Sequence, residues 1–254
     1  MFVINNVRLL AMKNIAFAHS VDATKLRREI TQLIEALAQR GIHADLVNWR
    51  DSTPDWTRYD AVFLRSCSEY FLHCDAFVSW LEHLQFIGIP TINHTKTILW
   101  NLNKRYLQTL EQKGFPIVPS LFFDQCTPCH LAEQLNKAGW VQAIIKPCIS
   151  AGAHETFRIN RAQAAQHQAA ADTILNSSDL IIQPFMDEIL SEGEWSLLFI
   201  EDRFSHAVIK KAKAGDFRIR DVHVGTYERV TPPDSLIDHA SRALACAPIQ
   251  PTYA

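Results

Sequence analysis

Short apolar runs alternate with helical segments through the first third of the chain, and this alternation limits the fold more than any other feature. The apolar runs occupy residues 14–18, 44–48, 59–64 and 88–92. After the first run, apolar residues recur at helical spacing, with Asp22 as the expected N-cap and Gly41 at the end. Phe77–Phe86 is a second predicted helix. Strands that alternate with helices form parallel sheets, so we predict a doubly wound α/β domain over residues 1–93.

A different pattern begins after Asn93. One helical stretch is predicted through Lys113 and Gly114, and prolines then mark the entry into a second region. This region is predicted to contain helices at 130–138 and 161–175 and strands at 142–146, 156–159 and 180–185. Two strands joined at Glu201-Asp202 predict an antiparallel hairpin, followed by a helix at about 235–246. The second half is therefore predicted to be α+β, divided into residues 94–182 and 183–254.

Composition and charge restrict the partners and the compartment. Lys and Arg number 25 against 27 Asp and Glu, a balance that gives no reason to expect nucleic acid or a membrane surface as a partner. Residues 3–12 make a poor signal peptide, and residues 1–11 are open to interpretation as a mis-assigned leader. Six cysteines without an export signal are expected to be reduced thiols, which predicts a cytoplasmic protein.

A lysine at a strand end is followed by a loop of small residues. Ile144-Ile145-Lys146-Pro147 leads within a few residues into Ser150-Ala151-Gly152-Ala153-His154. Small residues let backbone N–H groups approach phosphate oxygens, and Lys146 adds a positive charge at the same place. Taken alone, the pattern also fits a surface lysine before an ordinary turn.

Further polar residues flank this phosphate-site pattern in the sequence. Lys104 precedes Lys146 by about 40 residues, and the linker Gln183-Pro184-Phe185-Met186 follows it by about 40. An apolar linker offers backbone groups to the edge of adenine and side chains to its faces. Glu194 is placed to accept hydrogen bonds from a ribose, although it also fits a solvated hairpin edge.

Basic residues follow in two segments predicted as strands. Lys210 ends the first segment, and Arg218 and Arg220 alternate onto one face of the second. A planar guanidinium suits a carboxylate or a phosphoryl group in transfer. A solvated basic edge strand explains any one of these residues, but only a series of coincidences would explain all of them.

Taken in order, these motifs resemble the ATP-grasp superfamily of carboxylate ligases. The resemblance covers most of residues 93–254, and the strings at Tyr59–Ser66 and Trp100–Leu107 favour the branch of D-cycloserine cyclo-ligase. Glutathione synthetase and the ribosomal-protein glutamate ligases are similar at a greater distance. The resemblance implies an ATP-grasp fold after the N-terminal parallel-sheet domain.

The resemblance also implies roles for individual residues. Lys104 and Lys146 would contact ATP phosphates beneath the loop that contains Ser150 and Gly152. Gln183, Pro184, Phe185 and Met186 would line adenine, and Glu194 would hold the ribose. Arg218, together with Lys210, would face the γ-phosphate and the acyl phosphate. Arg65 is a weaker match to a substrate-carboxylate contact, since Cys67-Ser68-Glu69-Tyr70 replaces the usual residues after it.

The resemblance implies Mg²⁺ as well as ATP. Family members follow the last helix with strands that bear a metal-binding Asp, Glu and often Asn, whereas this sequence reaches Pro251-Thr252-Tyr253-Ala254 at that point. We therefore expect no metal ligand within the sequence and expect the Mg²⁺ ligands beyond residue 254, so that this chain alone would bind nucleotide without turnover.

Cys126-Thr127-Pro128-Cys129-His130 fits the C-x-x-C-H pattern of covalent haem attachment. Haem attachment of this kind normally requires export, and no export signal is visible. A single C-x-x-C also lacks the second pair that a zinc ribbon needs. We therefore interpret the segment as a loop and a helix start.

Two functions remain open from the sequence. The first is a ligase that forms an acyl phosphate with ATP and passes the acyl group to an amine, with ADP and phosphate released. The second is a nucleotide-binding sensor or interaction protein of the same fold without turnover. The partners expected are a small-molecule carboxylate and an amine; their identities, the choice between cyclisation and intermolecular ligation, and homo-oligomer formation are left open.

Overall fold

The computed structural model describes residues 13–20, 23–213, 215–218 and 224–254. The predicted cap Asp22 and the predicted strand residue Arg220 lie outside these ranges. The chain divides into two compact units, Met1–Leu99 and Trp100–Ala254. The domain limits expected from the sequence, at 93/94 and 182/183, stay predictions.

The first unit contains a four-stranded sheet in which every described pair of strands is parallel. Its strands are β1 (Asn14–His19), β2 (His43–Asn48), β3 (Ala61–Leu64) and β4 (Thr91–Ile92), in the order β2-β1-β3-β4. Its helices are α1 (Ala23–Glu29), α2 (Thr31–Ala38) and α3 (Cys74–Phe86). The predicted parallel sheet is confirmed.

The first predicted helix is in fact two helices that meet at Ile30. The backbone of Ile30 leaves the helical region at φ −113° and ψ 14°, and the Thr31 hydroxyl donates to the Arg27 carbonyl at 2.7 Å. Such a bond from a threonine to the preceding turn bends helices. Ile30 nevertheless remains buried beside Phe17 and Leu26, so the hydrophobic spacing is kept across the break.

An aromatic cluster fills another part of the first unit. Trp49 follows β2 and lies 4.9 Å from Phe77 and 5.7 Å from Trp80 of α3, measured between ring centroids. Trp56 contacts Trp80 at 5.4 Å. These rings anchor α3 through the large apolar area that aromatic side chains bury.

The predicted helix after Asn93 is interrupted. It consists of α4 (Thr95–Leu102) and α5 (Tyr106–Gln112), separated by a turn in which the Asn103 side chain accepts the Arg105 N–H at 2.9 Å. The Lys104 N–H donates to the Cys148 carbonyl, also at 2.9 Å. A contact 44 residues away in sequence therefore sets this turn, which local spacing could not show.

The second unit contains an antiparallel sheet in the order β5-β8-β6-β7. Its strands are β5 (Leu121–Phe123), β6 (Gln142–Pro147), β7 (Phe157–Asn160) and β8 (Leu180–Pro184). The helices α6 (Leu131–Ala138) and α7 (Gln168–Ser177) accompany it, and the predicted helix at 161–175 begins as a 3₁₀ segment, Arg161–His167. Leu135, Ile145, Ile174 and Leu180 form part of one buried apolar core between this sheet and the helices.

A second antiparallel sheet follows after the short helix α8 (Glu188–Ser191). Its strands β9 (Glu194–Ile200), β10 (Arg203–Ala212) and β11 (Val224–Val230) lie in the order β11-β10-β9. The predicted hairpin of β9 and β10 is confirmed. Glu201 and Asp202 both have φ of +54°, the left-handed conformation that two-residue hairpin turns require.

The end of the second unit differs from the sequence prediction in three places. Residues 215–218 are not a strand, so the predicted alternation of Arg218 and Arg220 on a strand is wrong for the described part. The strand that pairs with β10 on this side is β11, which begins at Val224. Ala254 exchanges two backbone hydrogen bonds with Phe199 of β9, and the Thr252 carbonyl accepts the N–H of Glu201 in the turn after β9. The last helix, α9, spans Asp234–Leu244. No helix among the described residues is long and apolar enough to cross a bilayer.

Candidate nucleotide-binding site

A cavity of about 400 Å³ lies within the second unit, a volume in the usual range for small-ligand sites. The predicted residues that line it are Lys104, Lys146, Ser150, Gly152, Gln183, Pro184, Phe185, Met186, Glu194 and Arg218. The other lining residues are Val118, Ile144, Ala151, Ala153, Thr156, Ile189 and Phe217. Lys210, predicted as catalytic, is not among the lining residues. The structure thus brings together ten residues that are scattered over more than 100 positions of the sequence.

Strand alternation on β6 and β8 builds the floor of this cavity. On β6, Ala143 and Ile145 enter the apolar core, while Ile144 and Lys146 line the cavity, as expected when successive side chains point to opposite faces. Gln183 of β8 pairs with Ile144. Lys146 is two residue steps along the strand from Ile144, so the lysine lies about 7 Å from the apolar part of the floor.

Lys104 and Lys146 bring two positive charges into one partly buried region. Burial, together with the charge of Lys146, lowers the pKa of Lys104 to about 8. Burial also lowers the pKa of Lys146. Within the described part of the chain, no carboxylate forms an ion pair with either lysine. Two partly desolvated cations without a counter-charge are an arrangement that favours a bound anion.

The loop of small residues closes over Lys104. The Lys104 ammonium donates to the Ser150 carbonyl and to Ser150 Oγ, both at 2.9 Å, and to the Cys148 carbonyl at 3.3 Å. Further along, Gly152 and Ala153 have φ of +60° and +57°. Left-handed backbone is unfavourable for alanine, and strained loops of this kind concentrate at ligand sites.

An apolar wall contains Phe185 and Phe217, whose rings meet edge to face at 5.8 Å. The Arg158 guanidinium lies over the Phe185 ring at 3.6 Å and is itself held by Gln142 Oε1 through two hydrogen bonds of 2.9 and 2.6 Å. The Phe185 N–H donates to the Gln142 carbonyl at 3.0 Å. Phe185 is therefore fixed through its backbone and through the contacts of its ring with Arg158 and Phe217, and it gives the cavity a rigid apolar wall.

Glu194 enters the cavity from the first residue of β9. Its carboxylate lies 3.4 Å from the ammonium of Lys210, the residue opposite it on β10. The preceding Gly193 has φ of +91°, and a Cβ at this position would lie 2.6 Å from the Lys210 carbonyl oxygen. Only glycine allows this approach, so the backbone at Gly193 fixes where Glu194 begins.

Arg218 reaches the cavity from the segment after β10. Asp216 holds it in a bidentate arrangement, with Arg218 Nε and Nη2 each 3.0 Å from a carboxylate oxygen. Asp216 also accepts the backbone N–H groups of Phe217 and Arg218. These hydrogen bonds, with the guanidinium first among them, hold the pKa of Asp216 well below its usual range. The orientation of the guanidinium is therefore set before any ligand arrives.

The described carboxylates at the cavity do not fit a magnesium site. Magnesium needs several oxygen ligands in octahedral geometry, whereas Glu194 faces Lys210 and Asp216 faces Arg218. No group of three or more His, Cys, Asp or Glu residues suited to a metal occurs in the described ranges. The expectation that the Mg²⁺ ligands lie beyond residue 254 stays a prediction, and no step proposed below depends on the ion.

The C-x-x-C-H segment lies outside the cavity. Cys129 is 2 % exposed and packs in the apolar core of the first antiparallel sheet, and burial raises the pKa of its thiol to about 11. Cys126 is exposed. A sulfur packed in the core is not available for thioether attachment of a haem, so Cys129 is a structural residue.

Sequence reasoning missed several residues that line the cavity. Val118, Ile189 and Phe217 carry no polar group that would mark them. Ile144 could have been found, because it alternates with Lys146 on one strand. Phe217 is adjacent to the predicted Arg218, but its contact with Phe185 depends on folding. Arg65, the weaker substrate contact, is exposed directly after β3 in the first unit.

The chain is similar in sequence to one family of known proteins. Residues 15–93 match the family described as the D-cycloserine synthetase DcsG, N-terminal domain. The cycloserine biosynthesis protein DcsG of Streptomyces lavendulae is 28% identical over 234 residues, which cover 89% of this chain and 75% of that protein.

Solved structures show the same fold. The crystal structure of D-cycloserine synthetase DcsG superposes with a TM-score of 0.81 at 24% identity, over 92% of this chain and 80% of that one. D-alanine–D-alanine ligase from Bacillus anthracis gives 0.65 at 14% identity, over 92% and 77%. The ATP-grasp ligase PsnB gives 0.59 at 17% identity, over 95% and 83%. The chain therefore has the fold of these ligases, and its sequence is similar to that of the cycloserine biosynthesis protein DcsG.

Proposed function

We propose that this protein is an ATP-dependent ligase that activates a small carboxylate as an acyl phosphate. The carboxylate oxygen attacks the γ-phosphorus of ATP and ADP leaves. An amine nitrogen then attacks the acyl carbon, phosphate leaves, and the amine gives up a proton as the amide forms. The amine belongs either to a second molecule or to the same molecule, in which case the product is cyclic.

One observation supports this function most strongly: a single cavity is lined both by an apolar wall and by two lysines that form no ion pair with a carboxylate among the described residues. Lys104 and Lys146 supply positive charge for phosphate oxygens. Phe185 and Phe217 supply a rigid apolar surface for adenine. Phosphoryl transfer is catalysed mainly by position and charge, and the lysines and Arg218 of the lining set would supply that charge.

We assign roles to the remaining predicted residues on the same basis. Arg218, oriented by Asp216, would face the phosphoryl group in transfer, where a guanidinium stabilises charge on two oxygens at once. Glu194 would accept hydrogen bonds from the ribose. Lys210 would have to exchange its contact with Glu194 to reach the phosphoryl group, so its catalytic role is the weakest of these assignments.

The names of the relatives suggest which substrates to test first. By their names, one relative synthesises D-cycloserine and another joins D-alanine to D-alanine. We propose that the carboxylate is that of a small amino acid or its derivative. The six cysteines are all unpaired thiols, which supports the proposal that the protein works in the cytoplasm.

The test is release of ADP and phosphate by the purified protein with ATP, Mg²⁺ and a pool of D- and L-amino acids, with and without amines. The expected result is release that depends on one carboxylate and is lost in Arg218→Met. ATP binding without release on any carboxylate would instead support the nucleotide-binding sensor. Absence of both binding and release would reject the proposed function.

A further inference from the structure

Ser120 lies outside the residues predicted from the sequence, yet it connects to the cavity through a chain of hydrogen bonds. Its hydroxyl oxygen lies 2.7 Å from the Val118 carbonyl oxygen. The same oxygen lies 2.9 Å from Nε2 of Gln183, which lines the cavity. Val118, Ser120 and Gln183 are thereby joined by two consecutive hydrogen bonds.

The number of available hydrogens fixes which group donates and which accepts in each of these two hydrogen bonds. A serine hydroxyl has one hydrogen, and a backbone carbonyl can only accept. The Ser120 O–H must therefore donate to Val118. Ser120 Oγ is left as an acceptor, so the group that faces it on Gln183 must be the amide NH₂. Ser120 thus selects one of the two orientations in which the planar Gln183 amide could lie.

This orientation decides what Gln183 offers to a ligand. With Nε2 bound to Ser120, Oε1 is the remaining polar atom of the side chain. No residue in the described ranges donates a hydrogen bond to Oε1. Gln183 is only 8% exposed and lines the cavity, so the cavity is where Oε1 can find a donor. The side chain therefore presents a fixed acceptor, not a donor.

We propose that Ser120 is a positioning residue that makes this site select adenine over guanine by holding the Gln183 amide with its oxygen toward the base. This inference rests on the proposed use of ATP. Adenine carries an exocyclic amine, which donates, where guanine carries a carbonyl oxygen, which accepts. The fixed Gln183 Oε1 accepts a hydrogen bond from the adenine amine. Opposite guanine, Oε1 would face the carbonyl oxygen, and neither oxygen would have a hydrogen-bond donor.

The expected discrimination follows from the cost of unpaired buried polar groups. A buried acceptor left without a donor weakens binding roughly ten- to hundredfold. If the amide were free to rotate by 180°, its NH₂ group would satisfy the guanine oxygen and most of this discrimination would disappear. The hydroxyl of Ser120 therefore controls selectivity without touching the base.

The test measures the dissociation constants of ATP, GTP and ITP by calorimetry for the wild type and three variants. ITP has the carbonyl oxygen of GTP but lacks its 2-amino group, so it separates the acceptor contact from steric exclusion. In Ser120→Ala we expect the preference for ATP over both GTP and ITP to fall at least tenfold. Ser120→Thr keeps the hydroxyl and is the matched control, with the preference unchanged.

The double variant Ser120→Ala/Gln183→Glu supplies a rescue. A carboxylate can only accept in either orientation, so it does not need Ser120, and the preference for ATP should return. A merely structural role for Ser120 predicts no such rescue. Circular dichroism and thermal unfolding show whether each variant is folded.

The possible failures are distinguishable. Unchanged selectivity in Ser120→Ala, with ATP still bound, overturns this inference and leaves the proposed function intact. Loss of selectivity in Ser120→Thr, or no rescue in the folded double variant, also overturns the inference. A wild-type protein that binds none of the three nucleotides overturns both.

Discussion

If the cavity binds ATP as proposed, the pKa of Lys104 should make that binding depend on pH in a defined range. Burial and the neighbouring charge of Lys146 place this pKa at about 8 in the free protein. Below pH 8 the ammonium is charged and attracts phosphate. As the pH rises through 8 the free protein loses this proton, and an uncharged amine no longer provides a point charge. We therefore expect ATP affinity to fall between pH 7 and pH 9.

The magnitude follows from the same value. A bound polyphosphate stabilises the charged lysine and keeps it protonated in the complex. With a free-state pKa of about 8 and a complex that retains its proton at pH 9, linkage gives a fall in affinity of about tenfold, or ~1.4 kcal/mol, between pH 7 and 9. A smaller fall would mean that the complex also releases protons in this range.

The assay is calorimetric titration with ATP at pH 7, 8 and 9 in buffers of equal ionic strength. Lys104→Arg is the matched control, because a guanidinium stays charged throughout this range. Ionisation of ATP itself affects both proteins equally. The wild type should lose affinity relative to Lys104→Arg as the pH rises. Parallel curves for the two proteins would refute the assignment of this titration to Lys104.

Three other outcomes are expected. Lys146→Ala should weaken ATP binding by ~1–3 kcal/mol with the fold retained; unchanged calorimetric affinity would remove Lys146 from the site. Residues 150–154 should exchange amide hydrogens faster without nucleotide than with it, and equal protection would contradict a covering role. Gly193→Ala should destabilise the protein by about 1–3 kcal/mol in urea unfolding, because its Cβ would meet the Lys210 carbonyl at 2.6 Å. Gly152→Ala is its control, since φ is also positive there but no atom lies within 4 Å, and an equal loss in both would show that the contact is unimportant.

Features set by neighbouring residues were predictable from the sequence. The hairpin turn at Glu201-Asp202 follows from a polar pair between two apolar runs, in which Asp202 tolerates left-handed backbone. The position of Lys146 follows from strand alternation, since Ile145 beside it enters the core. In both cases the residues within one segment were sufficient to predict the local structure.

Features set by distant contacts were not predictable. The turn at Lys104 depends on the Cys148 carbonyl, and the orientation of Gln183 depends on Ser120, 63 residues away. The strand β11 was missed because Gly225 and its charged residues give no clear apolar alternation. β11 forms because it pairs with β10, and its own sequence pattern does not predict a strand. Gly225 packs closely against β10, since a Cβ at this position would lie 3.0 Å from the Ala212 carbonyl oxygen.

The contacts of Lys104 connect its charge to the covering loop. In the structure its ammonium is satisfied by Ser150 and Cys148, whose carbonyls are neutral acceptors. A phosphate oxygen is a stronger acceptor for a cation, so a bound nucleotide would compete with Ser150 for the same hydrogens. Because Ser150 begins the loop that contains the left-handed Ala153, release of its contact would change how that loop is held. Phosphate binding and loop position are thus expected to be coupled through one side chain.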